Sequence, residues 1–163
     1  MTATRSERVD AVIKWLRPIA EPVANEAEFS RWIRAGNADP DEAEDWCAAC
    51  ARAEVARLNE QHPEHDYYVW GGYGIETDCP PECCKCGKTL TDILTGYAIR
   101  DEVDHYSRHT VSLRGKYSAE RAFRFIEVFE SSNFDTEDSD VWRFFRKVER
   151  MFKRQAVKGG GGA

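Results

Sequence analysis

Two pairs of cysteines, Cys47 with Cys50 and Cys83 with Cys86, each spaced by two residues, constrain this chain more than any other feature of it. Whether the thiols serve as disulfides, as a redox pair or as metal ligands decides which distant segments must meet. A tetrahedral zinc ion accepts four thiolates at about 2.3 Å, so the pattern predicts one zinc ion held by Cys47, Cys50, Cys83 and Cys86. Disulfides would need an oxidising compartment. Met1 to Ile13 lacks the apolar stretch of a secretory signal, and no apolar run reaches the roughly 20 residues that span a bilayer. The expectation is a cytoplasmic protein with no membrane attachment, whose cysteines bind metal.

Other residues compete for the same ion. Cys79 and Cys84 are close enough in sequence to replace a neighbour, and Cys83, Cys86, His105 and His109 form a second set, C-x2-C followed by H-x3-H. That set has 18 residues between its pairs, more than the about 12 to 15 usual for such fingers. Cys83-Cys84-Lys85-Cys86-Gly87-Lys88 resembles the zinc knuckle of zinc-ribbon and treble-clef domains, in which a glycine after the second cysteine permits a tight turn. Trp46-Cys47-Ala48-Ala49-Cys50 resembles the helical half of a treble clef, with the two halves in reversed order. The helix read from the sequence also begins a full turn or more before its first ligand.

Two catalytic readings use these residues. Trp46-Cys47-x-x-Cys50 resembles the thioredoxin redox motif, but the acidic stretch Asp39 to Asp45 stands where that fold needs an apolar strand. His62-Pro63-Glu64 with Pro81-Glu82-Cys83-x-x-Cys86 resembles the zinc deaminase signature H-x-E…P-C-x-x-C. Here Pro81 is not adjacent to Cys83, and four protein thiolates would leave no position for water. Gly71 to Gly74 lacks the Lys and Ser or Thr of a phosphate loop, and no nucleophile elbow is present. These absences favour a non-enzymatic protein.

Helix signals dominate the remainder. Thr4 with Glu7 makes a capping box for a helix burying Val9, Val12, Ile13 and Leu16 and ending at Pro18. Asn25 with Glu28 repeats the signal for a helix burying Phe29, Trp32 and Ile33 and stopped by Gly36. Asp39-Pro40-Asp41-Glu42 starts a third helix running to about Leu58 or Gln61, with Cys47 and Cys50 on one face. Asp66 to Trp70 reads as a short strand or hairpin, Thr89 to Leu94 as a short helix, and Glu102 to His109 as either helix or strand. Ser118 caps a helix with Ala122, Phe125, Ile126 and Phe129 on one face, and Asp140 opens the last helix, through Val141, Phe145, Val148 and Phe152.

The chain carries a net charge of −6, distributed unevenly. Arg143 to Lys158 holds seven basic residues and one acid, whereas Asn37 to Asp45 holds five acids and Glu127 to Asp140 six, with no base in either. An acidic body therefore argues against a surface built wholly for nucleic acid, while Arg143, Arg146, Lys147, Arg150, Lys153 and Arg154 offer a basic end. Arg108, Arg114, Lys116, Arg121 and Arg124 would extend it if the last two helices lie side by side. The combined reading is an α-rich (α+β) single domain over 1–158, with a small β element, a zinc-knuckle-like site and a flexible Gly-rich tail or cloning scar at 159–163. Its expected role is a zinc-stabilised regulator or inhibitor, such as a phage or mobile-element product, acting through protein–protein contacts. Nucleic-acid binding through the basic helices and zinc-dependent hydrolysis or deamination using Glu64 are the alternatives.

Overall fold

The computed structural model describes residues 3–34, 44–72, 74, 76–109, 111–134 and 140–159. Five helices dominate, α1 (Arg5–Ala24), α2 (Ala48–Gln61), α3 (Gly96–Arg108), α4 (Ser118–Ser131) and α5 (Asp140–Gly159). Four short strands accompany them, β1 (Trp32–Arg34), β2 (Tyr68–Trp70), β3 (Glu76–Thr77) and β4 (Ile93–Leu94), in two-stranded sheets β1-β2 and β3-β4. The protein is α-rich with a small β component. The chain divides into two compact units, residues 1–25 with 94–163, and residues 26–93. Among the described residues, no helix is long and apolar enough to cross a membrane. The acidic helix-start signal at 39–42, Gly36 and the tail at 160–163 lie outside the described residues.

The first unit is helical. The Thr4 hydroxyl accepts from the Glu7 amide at 3.2 Å and the Glu7 carboxylate accepts from the Thr4 amide at 2.7 Å, so α1 starts with the capping box read from the sequence. Val9, Val12, Ile13 and Leu16 are buried as the spacing predicts, and α1 packs mainly on α4. The helix does not stop at Pro18. It continues through Pro18 and Pro22 to Ala24 and buries Ala20. Both prolines are exposed and four residues apart, on the solvent side. The bonds they remove are therefore on the face where the freed carbonyls can be hydrated. Tyr106, Phe125, Phe129, Phe144 and Phe145 form an aromatic core with ring centroids 4.9 to 6.1 Å apart. α3 resolves the ambiguity at 102–109 as helix, and its N-cap Thr95 accepts from the Ala98 amide at 3.3 Å.

The second unit departs from the helical reading in three places. Phe29 to Arg34 is extended: β1 pairs antiparallel with β2, Trp32 opposite Trp70, Ile33 opposite Val69 and Arg34 opposite Tyr68. An isolated six-residue aromatic and branched segment holds no helix without tertiary support, whereas here it gains a partner strand and the Trp32–Trp70 ring contact at 5.1 Å. Thr89 to Leu94 is likewise extended, through bridges at Thr89 and Thr91 and then β4, rather than helical. The third departure is at the start of α2, which begins at Ala48 with Glu44 to Cys47 outside it. Gly72, with the Arg31 guanidinium over it, holds φ 108°, a backbone conformation that side-chain-bearing residues rarely adopt.

Candidate metal centre

The late start of α2 builds the site. Arg31 and Trp46 exchange backbone hydrogen bonds at 2.8 and 2.9 Å, which draws the chain before α2 onto the extended segment leading into β1. The Trp32 indole donates to Asp45 at 3.0 Å and reinforces this. Cys47 then takes the N-cap position, and its sulfur accepts from the amide of Cys50 at 3.5 Å. Cys47 and Cys50 therefore do not share a face in the body of a helix. They sit as cap and third residue, at the helix end where backbone amides lack helical partners. This removes one departure from the treble-clef resemblance, since the helix begins at its first ligand, while the order of the two halves remains reversed.

The second pair lies on a tight turn. Cys83 donates its amide to the Lys88 carbonyl and Gly87 donates to the Cys83 carbonyl, both at 2.8 Å, with Gly87 at φ 70°. The Cys84 amide donates to the Asp45 carbonyl at 2.9 Å, tying this knuckle directly to the segment that carries Cys47. Glu28 adds a polar clamp: one carboxylate oxygen accepts from the Ala48 amide at 3.2 Å and from the Lys88 ammonium at 3.3 Å. Glu28, which the sequence pairs with Asn25 at the start of a helix, instead caps α2 from another segment. Leu90, fully buried, packs with Cys47 and Cys83 and with the half-buried Cys50, and closes the apolar side.

The four sulfurs of Cys47, Cys50, Cys83 and Cys86 all lie within 4.8 Å of one another. A tetrahedral ion with thiolate bonds of about 2.3 Å separates its sulfurs by about 3.8 Å, and the Cys47 and Cys86 sulfurs are 3.8 Å apart. No disulfide joins any of the six cysteines. Donor type, number and spacing fit a metal ion such as zinc. No family model, curated protein or solved structure matches this chain.

The thiols differ in how readily they ionise. Burial pushes the Cys83 thiol up, but the backbone amides of Cys47, Cys86 and Lys85 directed at its sulfur outweigh this and hold it at about 6. Cys50 is pushed up to about 12, first by its hydrogen bond with the Cys47 thiol and then by burial. The amide of Lys88 favours the Cys86 thiolate, yet the Cys83 thiol and burial carry Cys86 upward. One sulfur is thus ready to ionise and its neighbours resist adding more negative charge, a resistance that a divalent ion removes.

The remaining candidates do not join the cluster. Cys79 is exposed, and Cys84 turns its sulfur to the Glu44 carboxylate, 3.6 Å away; partial burial of that sulfur and Glu44 push the thiol up to about 11. His105 and His109 lie together at the end of α3, rings 4.7 Å apart and both exposed, and neither belongs to the ligand group. Glu64, the residue a deaminase would use, lies in the exposed turn after α2 with its carboxylate 3.6 Å from both His62 and His65.

The basic end is an exposed face of a packed helix. Trp142, Phe144, Phe145, Val148 and Glu149 of α5 are buried, whereas Arg143, Arg146, Lys147, Arg150, Lys153 and Arg154 are exposed. Of the residues expected to extend it, Arg124 does not: it is buried and paired with Glu127 at 2.7 Å, because its place on α4 faces the core. Arg108 is paired with Asp104 at 2.6 Å.

Proposed function

We propose that this chain is a zinc-stapled, non-catalytic binding protein that acts on a protein partner as a regulator or inhibitor. The observation that carries the reading is the meeting of four thiols from two segments, their sulfurs within 4.8 Å of one another. With four protein thiolates an ion has no position left for water or substrate, so it holds structure rather than activating a nucleophile. The partner surface is favoured by exposed apolar side chains on the zinc-bearing unit. Tyr68 and Trp70 stand on β2, with Arg34 stacked 4.0 Å over the Trp70 ring, and Phe29 and Ile93 stand exposed nearer Gly74. Aromatic and Arg anchors of this kind dominate protein–protein interfaces.

Native mass spectrometry of the purified chain tests the metal reading. One zinc per chain is expected, lost on Cys47→Ser or Cys86→Ser, and unchanged zinc in both variants would reject this ligand set. A hydrolytic activity abolished by Glu64→Gln with zinc retained would overturn the non-catalytic assignment.

A further inference from the structure

The six exposed cations of α5 recur at 143, 146, 147, 150, 153 and 154. At 3.6 residues per turn they fall within about a third of the helix circumference, opposite the buried stripe, and run for about 16 Å. Asp140 neutralises Arg143 at 3.0 Å and Glu149 engages Lys153 at 3.1 Å. Arg146, Lys147, Arg150 and Arg154 have no carboxylate partner among the described residues. Ordinary solvated helices spread their charges in alternating sign and form pairs along one face, whereas this face keeps four unneutralised cations side by side on a chain of net charge −6.

Beside the stripe, α3 and α5 enclose an open cleft of about 480 Å³. Arg143 and Lys147 belong to both stripe and cleft. Tyr97, 65% exposed, supplies its aromatic surface, and Phe144 lies buried in its wall. The other charged groups lining it are Arg100 on one side of the balance and Asp101, Asp104 and Asp140 on the other, so the cleft itself is close to neutral. A cationic track next to a neutral, partly aromatic recess matches the two parts of a nucleotide strand: phosphates follow the charge, and an unpaired base enters the recess and stacks.

We infer that the α3–α5 face binds single-stranded nucleic acid, with Arg146, Lys147, Arg150 and Arg154 on phosphates and Tyr97 as a stacking platform for one base. A duplex would leave the recess empty, because its bases are already paired and stacked. An acidic protein segment would satisfy the cations but make no use of Tyr97. This surface lies in the helical unit, and the inference does not rest on the metal.

The test uses the full chain with zinc supplied and a labelled oligothymidylate of about 15 nucleotides, read by fluorescence anisotropy. Four phosphate contacts predict that affinity falls about 50-fold between about 50 mM and about 200 mM salt. The variant Arg146→Gln, Lys147→Gln, Arg150→Gln should lower the salt slope by about three contacts' worth. Tyr97→Ala should weaken binding about 5- to 150-fold and leave the salt slope unchanged. All these positions are exposed, and circular dichroism of each variant confirms that it is folded.

Absence of binding at low salt, or binding indifferent to the triple variant, would overturn the inference. So would a duplex of equal length binding as tightly as the single strand with Tyr97→Ala silent, or polyglutamate competing on equal terms. Zinc content measured on the same samples separates this outcome from a failure of the metal reading: a zinc-loaded chain that ignores the oligonucleotide sinks only the nucleic-acid surface.

Discussion

Glu149 shows how a single buried charge is maintained on the core side of a basic helix. Arg8 reaches it from α1 with two hydrogen bonds, at 2.8 and 2.6 Å, and Lys153 adds a third contact at 3.1 Å. Chiefly through Arg8, and against the opposing effect of burial, its carboxyl is held below the usual range. A depressed folded pKa contributes stability that is fully present above the unfolded value, about 4.3, and is lost as pH falls through the folded value. Glu149→Gln should therefore cost about 1 to 3 kcal/mol at neutral pH, and urea melts of the two proteins should converge in acid. Gly87 is constrained differently. Its positive φ permits the turn that closes on Cys83, and the space around it is open. Gly87→Ala should therefore destabilise through strain alone, by about 1 kcal/mol, and weaken zinc affinity in a competition titration with a chromogenic chelator.

At the scale of elements, α1 tests how far packing overrides local preference. Pro18 costs a helix interior about 3 kcal/mol relative to Ala, yet the helix passes through it because Leu16 and Ala20 are buried on the other face. Pro18→Ala should raise stability by about 1 to 3 kcal/mol, the lower end reflecting the freer unfolded chain; a lowered melting temperature would mean that packing on α4 needs the proline's geometry. α2 makes the opposite point. Its strongest start signal, at 39–42, lies upstream of an extended stretch, and the true start was marked by Cys47, a residue type outside the familiar N-caps. The Arg31–Trp46 bridge and the Glu28 clamp decide that boundary, and both come from distant sequence.

Across the whole molecule, the four clustered cysteines all fall within residues 26–93, while most helix lies in the other unit. Site formation contributes folding free energy because the unfolded chain has no preformed site. Chelating zinc should therefore raise amide exchange in 26–93 while α1, α4 and α5 stay protected; uniform loss of protection in both units would show that the metal stabilises the protein as a whole. The sequence by itself determined the start of α1, through its capping box, and the helices α4 and α5, through apolar spacing, and its two C-x-x-C pairs pointed to a metal centre while leaving Cys79, Cys84, His105 and His109 as competing candidates. Only the tertiary structure decided that Phe29 to Arg34 and Thr89 to Leu94 are extended, since short aromatic and branched runs take the conformation for which a partner strand is available. It also decided where α2 begins and which cations of α5 remain unpaired, because hydrogen bonds and burial set by residues far apart in sequence leave no local pattern to read.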